Sequence, residues 1–322
     1  MPALPPLPSV TSPNRRLFED LMKLVTFDRD GAARLGAVAG DLIVDLCALA
    51  TAAGETCPAT MLALIEAGPA ALDNVKRLMA AHDGTWPADT TARLADTRLL
   101  APIQRLPKGV IGVGLNYSEH VEESSRTMDT DRDMPSHPVI FFKPPTAVIG
   151  PEDSIVHNQA QTSQLDWESE LGVVIGRRCR DVAPGDALDQ VFGYTCVNDI
   201  SARDLRHGGQ WCFAKGQDTF APMGPWIVTA DEIEDPHALR IGLRVNGVTK
   251  QDGNTRQMIF RVPALIAHLS SGITLEPGDV IATGSPAGVG ISYVPPQFLK
   301  PGDVVEVDIE KIGVLRNRVI AG

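Results

Sequence analysis

Gln164-Leu165-Asp166-Trp167-Glu168-Ser169-Glu170-Leu171-Gly172-Val173-Val174-Ile175-Gly176 carries the main clue to both fold and chemistry in this chain. Trp167, Leu171, Val173 and Ile175 share one parity, which predicts a β-strand. Side chains two residues apart share a strand face, so Asp166, Glu168 and Glu170 are expected together on the opposite face. Three carboxylates in a row repel one another, and a cation between them removes the repulsion. Hard oxygen ligands of this kind suit Mg²⁺, Mn²⁺ or Ca²⁺ better than zinc. The solvated face of an edge strand is the plain alternative, and the stretch alone leaves both open.

The flanking sequence is mostly β. From Val110 onward, short apolar runs alternate with Gly/Pro turns, at 110–114, 139–142, 170–175, 226–229, 243–245, 280–283 and 304–309. Helices are predicted only near 118–125, 201–205 and 262–270. So few helices do not cover both faces of a parallel sheet, which argues against a doubly wound fold and for a β-rich roll or barrel. Residues 22–100 read as a small α+β unit, with strands at 24–27, 34–38 and 42–45 and helices near 60–67 and 70–82. Ala101 to Gly109 reads as a linker, and 106–321 as the catalytic domain. Residues 1–21 are Pro-rich without the apolar stretch of a signal peptide, and are expected to be a disordered extension.

Composition narrows the function. The 322 residues are 43% hydrophobic and 21% charged, ordinary for a globular protein with a sizeable core. A net charge of −11 without a basic block argues against nucleic acid or an anionic membrane as partner. No apolar run approaches the ~18 residues of a membrane span. Five cysteines without CxxC spacing point to reduced thiols and a cytoplasmic protein.

Other segments add candidate chemistry. Asp199 follows a short strand at 193–197 and reads either as the cap of a helix at 201–205 or as a third carboxylate beside Glu168 and Glu170. His120 and Glu123 are three apart on a predicted helix, where a carboxylate raises imidazole basicity and fixes its tautomer. Lys215, flanked by Trp211, Phe213 and Phe220, and Lys143, between Phe142 and Pro144, read as snorkelling lysines or as partners of an oxyanion. The turn Thr283-Gly284-Ser285-Pro286-Ala287-Gly288-Val289-Gly290 offers backbone N–H groups and a hydroxyl to a substrate oxygen. Dinucleotide, P-loop and serine-hydrolase signatures are missing.

Six segments recur in one order: Gly114-x-Asn116-Tyr117-x-x-His120-x-x-Glu123, Phe141-x-Lys143-Pro144, Glu168-x-Glu170-Leu171-x-x-Val174-Ile175-Gly176, Asp199-x-Ser201-Ala202-Arg203-Asp204, Lys215-x-x-Asp218, and Gly278-Asp279-x-Ile281-x-Thr283-Gly284-Ser285-Pro286-x-Gly288-Val289-Gly290. Together they resemble the fumarylacetoacetate hydrolase family over 106–321. The resemblance implies an α+β, β-rich fold: a mixed β-sandwich roll of the family's C-terminal type, preceded by the small α+β domain, in a homodimer. It implies Mg²⁺ or Mn²⁺ on Glu168, Glu170 and Asp199, with His120 and Glu123 as a dyad on a lid reaching to about Pro138. It further implies Lys215 as the oxyanion or enolate lysine and Arg203 as a carboxylate-binding arginine. Two departures stand out. Arg206 replaces the usual Gln, so that a more acidic substrate is favoured or the Gln role passes to Gln210. Ser285 replaces a Thr and keeps the hydroxyl.

The expected reaction is hydrolytic C–C cleavage of an acylpyruvate-type 1,3-diketo acid, with His120 and Glu123 activating water and Lys215 meeting the charge on the oxyanion. The same enolate chemistry without hydrolysis gives the alternatives: a 2-oxo diacid decarboxylase, a tautomerase, or an enzyme acting on a ureidoglycolate-like or sugar-acid substrate. The small anionic keto acid is the expected partner. Loss of one metal-binding carboxylate is expected to leave the fold standing, because it relieves repulsion.

Overall fold

The computed structural model describes residues 22–82, 84–127 and 134–322. The expected extension at 1–21 and the middle of the expected lid lie outside them. A long mixed sheet forms the centre. Its main path runs from Thr91–Arg93 through Leu42–Asp45, Ala32–Ala39, Lys23–Arg29, Ala221–Thr229, Val191–Asn198, Ser169–Ile175, Val280–Ala282 and Val110–Gly114 to Val139–Lys143. Most pairs are antiparallel, but Val280–Ala282 lies parallel to Val110–Gly114. A second sheet orders Val248–Asn254, Arg240–Val245, Val304–Ile309, Gly313–Ala321 and Ser154–His157.

The sheets face each other across the main core. Leu171, Val173 and Ile175 of the long sheet meet Ile241, Leu243, Val305 and Val307 of the short one. Val174, Val197 and Ile227 point to the other face, where Leu46, Leu49, Leu64 and Leu78 of the N-terminal helices cover them. Each such side chain contributes roughly 1.5–3 kcal/mol on burial. This double covering explains why every residue of Ser169–Ile175 is buried. It is a central strand, and its even-numbered side chains do not face solvent.

The 22–100 segment joins the same sheet, since Lys23 and Leu24 pair with Val228 and Ile227. Its expected strands and helices are present, along with a helix that the sequence did not predict, Leu46–Ala52, which Asp45 caps through Ala48 N–H. The expected linker is no exposed tether: Ala101, Ile103 and Leu106 are buried among residues of both segments. The helix expected at 201–205 does not form. Ser201–Ala202 pairs with Leu165–Asp166 as a two-stranded ladder, and Arg203–Leu205 is one 3₁₀ turn. Pairing with a neighbour outweighs weak local propensity in so short a segment.

Candidate active site

The 164–176 stretch breaks where the chemistry gathers. Leu165–Asp166 and Ser169–Ile175 are separate strands, with Trp167 and Glu168 between them in neither. The break parts Asp166 from the other two acids. Its Oδ1 accepts from Gly290 N–H at 2.6 Å and its Oδ2 from Ile291 N–H at 3.0 Å. The sequence places it with Glu168 and Glu170 only if the strand is continuous.

Asp199 takes the third place instead. Glu168, Glu170 and Asp199 are buried, with one oxygen of each within 4.8 Å of the others. Asp199 caps no helix. One of its oxygens accepts from the fully buried Lys143, and the other from Lys215 Nζ at 2.5 Å. Lys215 also donates to Glu168 Oε2 at 2.9 Å and Ser201 Oγ at 2.9 Å. Lys143 therefore belongs to the cluster. Its signal in the sequence was the Phe-x-Lys-Pro segment.

Glu168 and Glu170 are shifted in opposite directions. Burial raises the pKa of Glu168, but Lys215, Arg203 and His120 outweigh it and hold the carboxyl well below its usual range. Glu170 moves the other way. Burial, Asp199 and Glu168 push it well above the usual range, against Lys215 and a 2.8 Å bond from Gly284 N–H. For Lys215, burial works against the charge, but Asp199 and Glu168 more than restore it. Lys143 ends below its ordinary value because burial dominates. The neighbours of Lys215 differ from expectation: its ammonium lies 5.0 Å from the Phe141 ring centre, whereas Phe213 is half exposed.

His120 and Glu123 lie on the helix Ser118–Thr127. His120 is buried, and its Nδ1 is 3.9 Å from Glu123 Oε2, an ion-pair separation longer than a hydrogen bond. Glu123 is anchored from beyond the helix by Gly288 N–H, at 3.2 and 3.0 Å to its two oxygens. Asn116 fixes the base of the helix by donating to Phe260 O at 2.9 Å and Thr283 O at 2.7 Å. The glycine-rich turn thus serves protein carboxylates: Gly284 holds Glu170, Gly288 holds Glu123 and Gly290 holds Asp166. Gly288 has φ +99°, and a Cβ there would sit 2.1 Å from Lys250 O, so only glycine presents that N–H.

The expected substrate-binding residues are scattered in role. Arg203 is buried, its Nε 2.8 Å from Asp166 Oδ2 and its Nη2 2.6 Å from Glu168 Oε1. Arg206 lies over the Trp211 ring, with its Cζ 4.6 Å from the ring centre. Gln210 is exposed. Ser285 is buried and accepts from Gln251 Nε2 at 2.8 Å. Gln251, which no motif marked, also takes Ser169 N–H at 2.9 Å and so ties the central strand to the turn.

These residues fit a divalent cation. The donor set is all carboxylate, and the raised Glu170 marks crowded negative charge that a cation would relieve.

Comparison with known proteins agrees with this geometry. Residues 109–320 match the family model described as fumarylacetoacetate (FAA) hydrolase C-terminal. The oxaloacetate tautomerase YisK of Bacillus subtilis is 42% identical over 271 residues, 82% of this chain and 88% of that protein. The human mitochondrial oxaloacetate tautomerase FAHD2A is 42% identical over 268 residues, 82% of this chain and 81% of its own. Among solved structures, a fumarylacetoacetate hydrolase from Exiguobacterium antarcticum superposes with TM-score 0.77 at 38% identity, covering 94% of this chain and 100% of that one. Maleylpyruvate hydrolase from Sphingobium sp. SYK-6, in complex with manganese(II) and pyruvate, superposes with TM-score 0.75 at 34% identity and the same coverage. By its match to the family model and its identity to these relatives along most of its length, the chain belongs to the fumarylacetoacetate hydrolase family.

Proposed function

We propose that this chain interconverts the enol and keto forms of a short 2-oxo dicarboxylate of the oxaloacetate type. The observation that carries the reading is a buried imidazole, His120, whose Nδ1 has no hydrogen-bond partner among the described residues, beside a carboxylate cluster already threaded by a lysine ammonium. That is a proton acceptor next to a place where enolate charge is stabilised. The tautomerase relatives support this over the C–C hydrolysis expected from the sequence.

Glu168, Glu170 and Asp199 would hold Mg²⁺ or Mn²⁺. When bound, the ion supplies a Lewis acid that polarises the ketone and lowers the energy of the enolate. In the ketone-to-enol direction, His120 accepts the proton from the carbon next to the carbonyl. The C–H electron pair becomes the C=C bond of the enolate, and the carbonyl pair moves to oxygen. Lys215 meets the growing oxygen charge, and return of the proton from the His120 imidazolium to that oxygen, through water, gives the enol and leaves His120 neutral. Glu123, fixed by Gly288, offsets the positive charge on the imidazolium.

Hydrolysis is the second reading, favoured by the maleylpyruvate hydrolase superposition. In it His120 takes its proton from water. The test follows the enol absorbance of oxaloacetate with Mg²⁺ or Mn²⁺, and in parallel assays pyruvate and carbon dioxide release from acetylpyruvate and oxaloacetate. Enzyme-dependent loss of enol without either product is expected. Acetylpyruvate cleavage with a kcat/KM above that for ketonisation overturns the reading.

A further inference from the structure

We propose that Cys47 and Cys57 form a dithiol site that reacts with a hydroperoxide and closes to a reducible disulfide. The site lies in the N-terminal segment, among residues that the carboxylate chemistry does not use.

The local fold brings the pair together. Cys47 lies in the first turn of the helix Leu46–Ala52, and Cys57 lies 10 positions on, in the loop that leads to the helix Met61–Ala67. Cys47 Sγ is 4.0 Å from Cys57 O and 3.5 Å from Pro58 O, so its thiol rests against the backbone of that loop. The two side chains are also hydrogen-bonded to each other, with the Cys57 thiol donating to the Cys47 sulfur. Both are half-buried, which leaves them open to a small oxidant. The other cysteines differ: Cys196 is buried and donates to Gly313 O at 3.4 Å, and Cys212 is exposed. A bound metal does not account for the pair. A structural zinc needs four ligands, and among the described residues the one group of three metal-binding side chains is Glu168, Glu170 and Asp199.

The shared hydrogen bond gives the two sulfurs different roles. Accepting it holds the Cys47 thiol below its usual pKa, against burial and the charge of Asp45. Donating it, together with burial, pushes Cys57 up. The thiolate is the nucleophile, so Cys47 attacks first and Cys57 resolves. The Cys47 thiolate attacks one oxygen of the hydroperoxide, and the O–O bond breaks. The alkoxide leaves and takes a proton from water to become the alcohol, and Cys47 becomes a sulfenic acid. The Cys57 sulfur then attacks the Cys47 sulfur. The S–O bond breaks, the departing hydroxide takes the Cys57 proton and leaves as water, and the S–S bond forms. Two thiols have lost two electrons, and the hydroperoxide has gained them. The new bond would tie the helix Leu46–Ala52 to the loop whose Thr60 caps Met61–Ala67. Leu62 of that second helix packs over Gly278, where a Cβ would sit 2.4 Å from its Cδ1, so the tethered loop leads directly to a contact with the catalytic segment.

The experiment treats the reduced full chain with a small molar excess of hydrogen peroxide, quenches with iodoacetamide, and maps tryptic peptides by mass. Cys47 and Cys57 fall in one peptide, 35–76, which holds no other cysteine. It should appear without alkyl groups and lighter by two hydrogens, before Cys212 is consumed. Dithiothreitol added before the quench should restore both alkylation sites. Cys57→Ser removes the resolving thiol, so the Cys47 sulfenic acid should persist and take up dimedone. Cys47→Ser removes the nucleophile, and dimedone labelling of Cys57 should be at least about 10-fold lower. A 35–76 peptide that keeps both thiols until Cys212 has oxidised overturns the proposal, and that measurement requires no variant. A disulfide from either cysteine to a second chain also overturns it. Equal dimedone labelling in the two variants overturns the assigned order of attack.

Discussion

His237 and Asp235, like His120 and Glu123, are an imidazole and a carboxylate close in sequence with the ring buried, yet the two pairs are wired differently. His237 Nδ1 lies 3.1 Å from Asp235 Oδ1, and its Nε2 accepts the Val262 N–H at 3.1 Å. Both ring nitrogens are spent on the fold. The second bond caps the helix Val262–Gly272, which has no side-chain cap of its own at Arg261. Among the described residues His120 has no such bond at Nδ1, and its acid partner is held by a different loop. Residue type does not separate the structural pair from the one proposed to react. Unused hydrogen-bonding capacity beside a charged cluster does.

The largest expected effect tests that contrast directly. His120→Ala should lower kcat by roughly 10²- to 10⁴-fold, the range for loss of a general base. His237→Ala should leave kcat within about threefold and lower stability by about 1–2 kcal/mol, the usual cost of a lost helix cap. Steady-state kinetics and denaturant unfolding on both variants decide the matter. Equal kinetic loss in the two would show that the histidines are not functionally distinct.

The same contrast runs through the carboxylate cluster and sharpens it. Both Asp199 oxygens are engaged by buried lysines, so Asp199→Ala leaves Lys143 without its carboxylate and Lys215 with Glu168 alone. It should cost about 3–5 kcal/mol of stability in the metal-free chain. The expectation that carboxylate loss would leave the fold standing does not follow for this position. Glu170 is already biased toward its neutral form, so Glu170→Gln should cost less than about 1 kcal/mol and keep the Gly284 bond. Both variants should lose Mn²⁺ affinity in a calorimetric titration. A Glu170→Gln chain that binds Mn²⁺ unchanged would remove Glu170 from the ligand set.

Much of the strand inventory was legible because parity and turn residues are local: 42–45, 110–114 and 304–309 fall where the sequence puts them. The acids Glu168, Glu170 and Asp199 were legible as a set only through the ordered motifs, because Asp199 reaches the others by strand pairing across 30 residues. The break at Trp167-Glu168 was not legible, since apolar alternation continues through it. Nor were the partners of Arg203 and of the glycine-rich turn. An N–H aimed at a substrate and one aimed at a protein carboxylate look the same in sequence, and only the fold shows that Asp166, Glu123 and Glu170 arrive there first. The covered strand Ser169–Ile175 read as half-exposed because its two cores come from segments far apart in the chain.

The smallest effect concerns pH and tests the structural role of His237. Burial holds His237 below its ordinary 6.5, against the pull of Asp235. Geometry agrees, because a proton on Nε2 would face the Val262 N–H, donor against donor. The unfolded chain takes up that proton first as pH falls, so the stability contributed by neutral His237 is complete above 6.5 and is lost as pH drops through the lower folded value. His237→Asn removes the titration and leaves every other group in place. The stability gap between wild type and His237→Asn, from urea unfolding at a series of pH values, should therefore shrink on going below 6.5, by less than about 1.4 kcal/mol for each unit of depression. A gap that widens as pH falls would mean that Asp235 holds the ring protonated. His237 would then be an ion pair that can carry a proton, and the distinction from His120 would fail.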